Sequence, residues 1–221
     1  TKMFNCGFAQ LYGLTETTGA VTYLAPEDHD GSEKMKSCGK TMSAAIVRVV
    51  DENDRDCPPG QVGEIIVQGN QVMKGYWNLP EETEKAIRNG WFYSGDAGYF
   101  DAEGYLYIHD RVKDMIVSGG ENIYPAEVES ALAGHGAIAD VAVIGVPDDK
   151  WGETVKAVVV LAPGAALSED EIIAYSRSQI AGFKIPRSVD FMTDLPRNPS
   201  GKILKRELRK PYWEGHDRQV N

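Results

Sequence analysis

The chain has 221 residues, 42% of them apolar and 25% charged, with no low-complexity tract or internal repeat, the composition of a globular protein of one large or two small domains. Its net charge of −10 argues against nucleic-acid binding through overall charge, and its longest apolar runs, such as 158–162, are too short to span a bilayer. Cys6, Cys38 and Cys57 have no paired spacing and no histidine cluster beside them, which suits a reduced, cytoplasmic protein without a structural metal.

The opening residues, TKMFNCGFAQLYG, carry neither an initiator methionine nor a secretory leader, so the first residue reads as a cut rather than a natural beginning. Residues 1–109 read mainly as β. Strands are expected over 44–51 and 62–69, separated by Pro58-Pro59-Gly60, which only a turn accommodates. Another is expected over 104–110, after the turn that ends at Gly104. A helix is expected near 80–88: Pro80 in its first turn, Glu81, Glu82 and Glu84 early, and Lys85 and Arg88 late all suit the helix dipole. The charge-dense run 110–113 then marks a boundary, dividing the chain into domains 1–110 and 111–221.

Beyond it, α and β segments alternate. A helix over 125–133 has Glu127 and Glu129 in its early turns and Gly134 just past its end. Strands follow over 138–146, 154–162 and 188–192, with a helix from the capping box Ser168–Glu171 to about 180 and a short last helix over 205–210. The fold class is therefore mixed α/β, a β-rich first part followed by a small α/β domain with a three-stranded sheet. From Gly182 to Lys210 eight Lys/Arg stand against three Asp/Glu, which reads either as a solvated face or as a local pocket for a small polyanion.

Some short segments could carry chemistry. In LYGLTETTG (11–19), Gly13 lets the chain turn, Tyr12 offers a flat ring, and Thr15 beside Glu16 can hold a phosphate oxygen and the Mg²⁺ that neutralises it. Taken alone, this reads first as a polar loop. Asp96, following Ser94-Gly95 in a tight turn, either holds a ribose diol or caps that turn. Arg111 is of the type that reaches phosphate or ribose oxygens with a planar fork. Ser118-Gly119-Gly120 would let a slender ligand arm pass against the backbone, or would simply turn a hairpin. In LPRNPSGKILKREL, an irregular loop delivers Lys202, a compact charge suited to a transition state, or one surface lysine among many.

In this order, YGLTETTG, GEIIVQGNQVMKGYWNLPEET, the run from GWFYSGDAGYF to SGGENIYPAEVES, and PRNPSGKILKREL resemble the motifs of the adenylate-forming superfamily of acyl- and aryl-CoA synthetases, adenylation domains and luciferase. The resemblance covers essentially the whole chain. SGGENIYPAEVE with VPDDKWGE is most similar to the fatty-acid and medium- or long-chain acyl-CoA ligases, and Ser94 stands where many relatives carry Thr. The resemblance implies that a carboxylic acid, such as a fatty acid, is activated by Mg·ATP as its acyl-adenylate and passed to CoA. It implies that Thr15 contacts phosphate, Glu16 holds Mg²⁺, Tyr12 packs on adenine, and Asp96 and Arg111 bind the ribose. Lys202 would bridge substrate carboxylate and α-phosphate. The small domain would then pivot at Lys113 and present Ser118, Gly119 and Gly120 to the pantetheine arm, with Trp151, Phe183, Lys184 and Arg187 toward the CoA nucleotide. The family's phosphate loop is not in these 221 residues, so the chain resembles the C-terminal portion of a longer enzyme, inactive alone. The rival readings are an acyl-AMP ligase or adenylation domain that loads a carrier-protein thiol, a luciferase-type oxidation, and a module that only binds nucleotide.

Overall fold

The computed structural model describes residues 5–215 and divides into two units, Thr1–His109 and Asp110–Asn221. In the first, strands β1 (Gln10–Leu14), β2 (Gly19–Leu24) and β3 (Lys40–Thr41) form an antiparallel sheet in that order. A second sheet holds β4 (Ile46–Val50), β5 (Gly63–Gln68), β6 (Ile87–Arg88), β7 (Trp91–Phe100) and β8 (Leu106–Arg111), in the order β4-β5-β7-β6 with β8 also on β7. The expected strands over 44–51, 62–69 and 104–110 are β4, β5 and β8, each shifted or trimmed by a residue or two. Helix α1 (Pro80–Ala86) opens on its proline as anticipated but stops at Ala86, because Ile87 and Arg88 extend to pair with Phe92 and Trp91. Ile65, Ile66 and Val67 of β5 are all buried, so this strand has apolar cover on both faces; Ile65 and Val67 pack with Val21, Val49, Phe92 and Leu106.

The second unit contains a five-stranded sheet: β9 (Ile116–Ser118), β10 (Glu121–Ile123), β11 (Ile138–Asp148), β12 (Gly152–Leu161) and β13 (Ser188–Phe191), with helices α2 (Pro125–Ala133), α3 (Glu169–Arg177) and α4 (Lys205–Trp213). The three expected strands are β11, β12 and β13, and the hairpin β9-β10 adds two more. β12 and β13 run parallel, joined through α3 as a βαβ crossover. Alternation along β11 and β12 sorts their side chains onto two faces. Val141, Val143, Val155, Ala157 and Val159 pack with Val128 and Leu132 of α2 and Ile172 of α3. Ala142, Ile144, Val146 and Val158 pack instead with Leu195 and with Leu208 of α4.

Helix starts follow the sequence signals. The Ser168 hydroxyl accepts from the Glu171 amide while Glu171 Oε2 accepts from the Ser168 amide at 2.8 Å, a closed capping box. Side chains also close backbone groups at the sheet margins: the Val143 amide donates to Glu129 at 2.7 Å, the Val189 amide to Glu169 at 3.0 Å, and the Trp213 indole to the Gly145 carbonyl at 3.0 Å. No helix among the described residues is long and apolar enough to cross a membrane.

Candidate functional site

In the first unit, the candidate residues gather around the turn from β1 to β2 and the middle of β7. Thr15–Thr17 form a single 3-10 turn, closed by Thr18 in a left-handed conformation (φ 53). The buried Thr17 hydroxyl ties this turn by accepting from the Leu14 amide at 2.9 Å. Gly13 does not make the turn. It lies in β1, where a Cβ would stand 2.0 Å from the Gly19 carbonyl oxygen, so its role is to let the two strands approach.

Asp96 likewise lies within a strand rather than in a tight turn. Glu64 of β5 pairs with Ala97 and Ile66 with Tyr93, which leaves Ser94, Gly95 and Asp96 opposite Ile65 alone. This bulge needs the positive φ of Gly95 (70) and re-aims the side chain that follows. Ser94 holds it: its hydroxyl donates to the Ile65 carbonyl at 2.6 Å and accepts from the Asp96 amide at 3.0 Å. Glu64 accepts from the Gly95 amide at 3.0 Å, and burial pushes its carboxyl above the usual range.

Asp96 Oδ2 accepts a 2.8 Å hydrogen bond from the Tyr12 hydroxyl, and both residues are buried. Burial, and then the Asp96 charge, push the Tyr12 phenol far up, so it stays a donor. Glu16 is half-buried, its Oε1 accepting from the Tyr76 hydroxyl at 2.9 Å, while Thr15 is exposed. A carboxylate with one oxygen fixed by a phenol is a fitting single protein ligand for Mg²⁺, which takes one or two carboxylates plus phosphate oxygens and water. Among the described residues no group of three His, Cys, Asp or Glu could hold a metal alone.

The other candidates lie at the end of β8 and in the second unit. Arg111 is exposed, and Lys113 lies in the 3-10 turn Val112–Asp114, whose Asp114 pairs with Arg209 of α4 at 2.9 Å. Ser118 ends β9, and Gly119 and Gly120 turn the hairpin with φ of 61 and 88, the positive values a two-residue hairpin requires. The structure brings Gly119 against Trp151: the Gly119 amide donates to the Trp151 carbonyl at 2.9 Å, and a Cβ on Gly119 would lie 2.5 Å from the indole. Lys150 lies over the Trp151 ring at 4.5 Å and Arg187 at 5.4 Å. Phe183 is exposed, with the Lys184 ammonium 5.4 Å from its centroid, and Lys184 also pairs with Glu127 at 2.6 Å.

Lys202 is exposed on a loop stitched by Asn198, whose Oδ1 accepts from the Ser200 amide at 3.0 Å, the Ser200 hydroxyl at 2.7 Å and the Lys202 amide at 2.9 Å. Arg197 donates to the Gly201 carbonyl at 2.6 Å and pairs with Asp140 of β11. Sequence reasoning missed Tyr76, Glu64, Glu127 and Asn198 as partners of the candidates. Only Asn198 left a local signal, an Asn-Pro-Ser-Gly run that favours side-chain-to-backbone turns.

Comparison with known proteins places the chain in a family. Residues 1–77 match the family model of the AMP-binding enzymes and residues 127–202 that of the AMP-binding enzyme C-terminal domain. The chain is 44% identical over 220 residues, 99% of its length and 42% of the relative's, to a fatty acid–[acyl-carrier-protein] ligase, ScoC, of Streptomyces coeruleorubidus. It is 48% identical over 205 residues, 93% of its length and 41% of the relative's, to a feruloyl-CoA synthase of an Amycolatopsis species. Among solved structures, o-succinylbenzoate CoA synthetase (MenE) from Bacillus subtilis with the acyl-adenylate OSB-AMP superposes with a TM-score of 0.84 at 42% identity, over 91% of this chain and 41% of that one. The same synthetase has also been solved with ATP and magnesium ion. The chain thus spans about two fifths of the length of the relatives it matches. With motifs, fold and both family models in agreement, the chain belongs to the adenylate-forming, AMP-binding enzymes.

Proposed function

We propose that this chain is the carboxy-terminal part of an ATP-dependent acid–thiol ligase that converts a fatty acid to its CoA thioester. A carboxylate oxygen attacks the α-phosphorus of ATP, the bond to pyrophosphate breaks, and an acyl-adenylate forms. The CoA sulfur then attacks the acyl carbon, AMP leaves, and the thiol proton passes to solvent. Glu16 would hold Mg²⁺, which when bound would neutralise charge on the phosphates. Asp96 accepts from the ribose diol, with Arg111 as a second ribose contact, Tyr12 beside the adenine and Thr15 against phosphate.

One observation carries the reading: Lys202 is exposed on a loop whose backbone Asn198 and Arg197 already close, so the main chain that presents this cation needs no further ordering. Such a charge is suited to meeting negative charge that develops in the first step alone. The small domain, residues 111–221, then pivots at Lys113 and turns Ser118, Gly119 and Gly120 toward the thiol arm. Trp151 and Phe183 offer ring faces for an adenine, and Lys184 and Arg187 offer charge for phosphates.

In the full-length protein, Lys202→Ala is expected to lower ATP–pyrophosphate exchange roughly 10²-fold or more, the usual cost of losing one transition-state donor. Conversion of presynthesised acyl-adenylate to thioester should persist. Equal loss in both half-reactions would remove Lys202 from the first step alone. The 221-residue chain by itself is expected to show no exchange, and a rate comparable to an intact relative would overturn that. A second reading, transfer to a carrier-protein thiol, is favoured by the similarity to ScoC. Supplying CoA or a phosphopantetheinylated carrier as sole acceptor separates the two.

A further inference from the structure

The Lys184 ammonium meets both carboxylate oxygens of Glu127 at 2.6 Å. Side-chain exposures of 20% for Lys184 and 31% for Glu127 leave the pair only partly screened by water. A cation neutralised at this range presents little net field to an arriving phosphate. Lys184 is nonetheless well placed to offer one: its amide donates to the Ala181 carbonyl at 2.9 Å, and the Phe183 ring lies 5.4 Å from its ammonium. Arg187, three residues on, is exposed and lies over Trp151. Glu127 sits in the first turn of α2, where the positive end of the helix still favours its carboxylate after the lysine has left.

We propose that Glu127 is an internal competitor for the phosphate of the thiol acceptor: it holds Lys184 until the acceptor arrives, must release the ammonium for binding, and so sets the affinity for CoA. The proposal rests on reading this surface as the CoA-nucleotide site. It assigns Glu127 a specificity-determining role in which loss of a carboxylate strengthens binding of the anionic ligand. A merely structural ion pair predicts the opposite sign, since breaking it would loosen the surface that binds.

The test is calorimetric titration of CoA into the full-length protein, its Glu127→Gln and Glu127→Ala variants, Lys184→Met, and Glu127→Gln combined with Lys184→Met. Both Glu127 variants are expected to bind CoA roughly 2- to 5-fold more tightly, the scale of one partly exposed charge pair. Lys184→Met is expected to bind more weakly, and Glu127→Gln should bring no gain in its background. If the wild-type protein binds CoA and neither Glu127 variant binds more tightly, the competitor role is wrong while the CoA reading stands. A gain that survives Lys184→Met also overturns it, because the effect then bypasses the lysine. Absence of CoA binding in the wild type and in every variant sinks the CoA reading and this proposal together.

Discussion

The Tyr12 hydroxyl reaches across 84 residues of sequence to donate a 2.8 Å hydrogen bond to Asp96 Oδ2, joining the first strand of the chain to the bulge in β7. Both ends are buried, so removing either leaves the other one hydrogen bond poorer where water replaces it badly. Tyr12→Phe is therefore expected to destabilise the first unit by about 1–3 kcal/mol, the cost of leaving a buried acceptor short of a donor. Chemical denaturation checks this, with Leu11→Ala, a change at an exposed position, as the comparison. A Tyr12→Phe midpoint equal to wild type would show that the bond contributes nothing net.

Gly119 and Gly120 share positive φ, but only Gly119 lies under Trp151. Gly119→Ala meets both the strain and a 2.5 Å clash, and its expected cost is about 2–3 kcal/mol. Gly120→Ala meets nothing within 4 Å and is expected to cost about 1 kcal/mol, from backbone strain alone. Tryptophan fluorescence during unfolding reports both, and equal losses would mean that the indole simply moves aside.

Alkaline stability should depend on Tyr212. Burial and its hydrogen bond to Asp190 push its phenol up to about 12, above its ordinary value of 10.0. A raised phenol contributes stability that is fully present below pH 10 and is lost as pH rises through 12. Wild type should therefore lose stability across that window, and Tyr212→Phe should show a shallower decline. Denaturation midpoints across the window decide it; parallel declines would exclude Tyr212 as the source. At the acid end the sign reverses. Burial would raise the Asp190 carboxyl, but its bonds to Lys156 and Tyr212 outweigh that and hold it low, so its contribution is lost on acidification.

Lys113 sits in a 3-10 turn whose next residue, Asp114, is tied to Arg209. In the full-length protein, Lys113→Pro is expected to slow thioester formation more than adenylate formation, because a fixed φ stiffens the proposed pivot. Single-turnover measurement of each half-reaction checks it. An unchanged second half-reaction would take Lys113 out of that role.

Much of the second unit was legible because its signals are local. The apolar runs in 138–146 and 154–162, the Ser168 capping box and the proline at the start of α2 each act within a few residues. The first unit was harder to read. β7 carries Gly95, Asp96 and Gly98, all turn-formers in isolation, and only pairing with β5 makes them a bulged strand. For the same reason Asp96 is identifiable as a candidate from its type and motif, while its aim depends on Ser94 and Ile65. Tyr76 and Glu127 could not be read at all, since their partners lie 60 and 57 residues away and no local pattern announces either contact.

The carboxylates of Glu129 and Glu169, with the Trp213 indole, plug backbone groups along β11 and β13 that could otherwise recruit a foreign strand. With those groups engaged, the outer strands of the second unit's sheet offer fewer backbone donors and acceptors to another chain. Removing those plugs should first appear as self-association on storage.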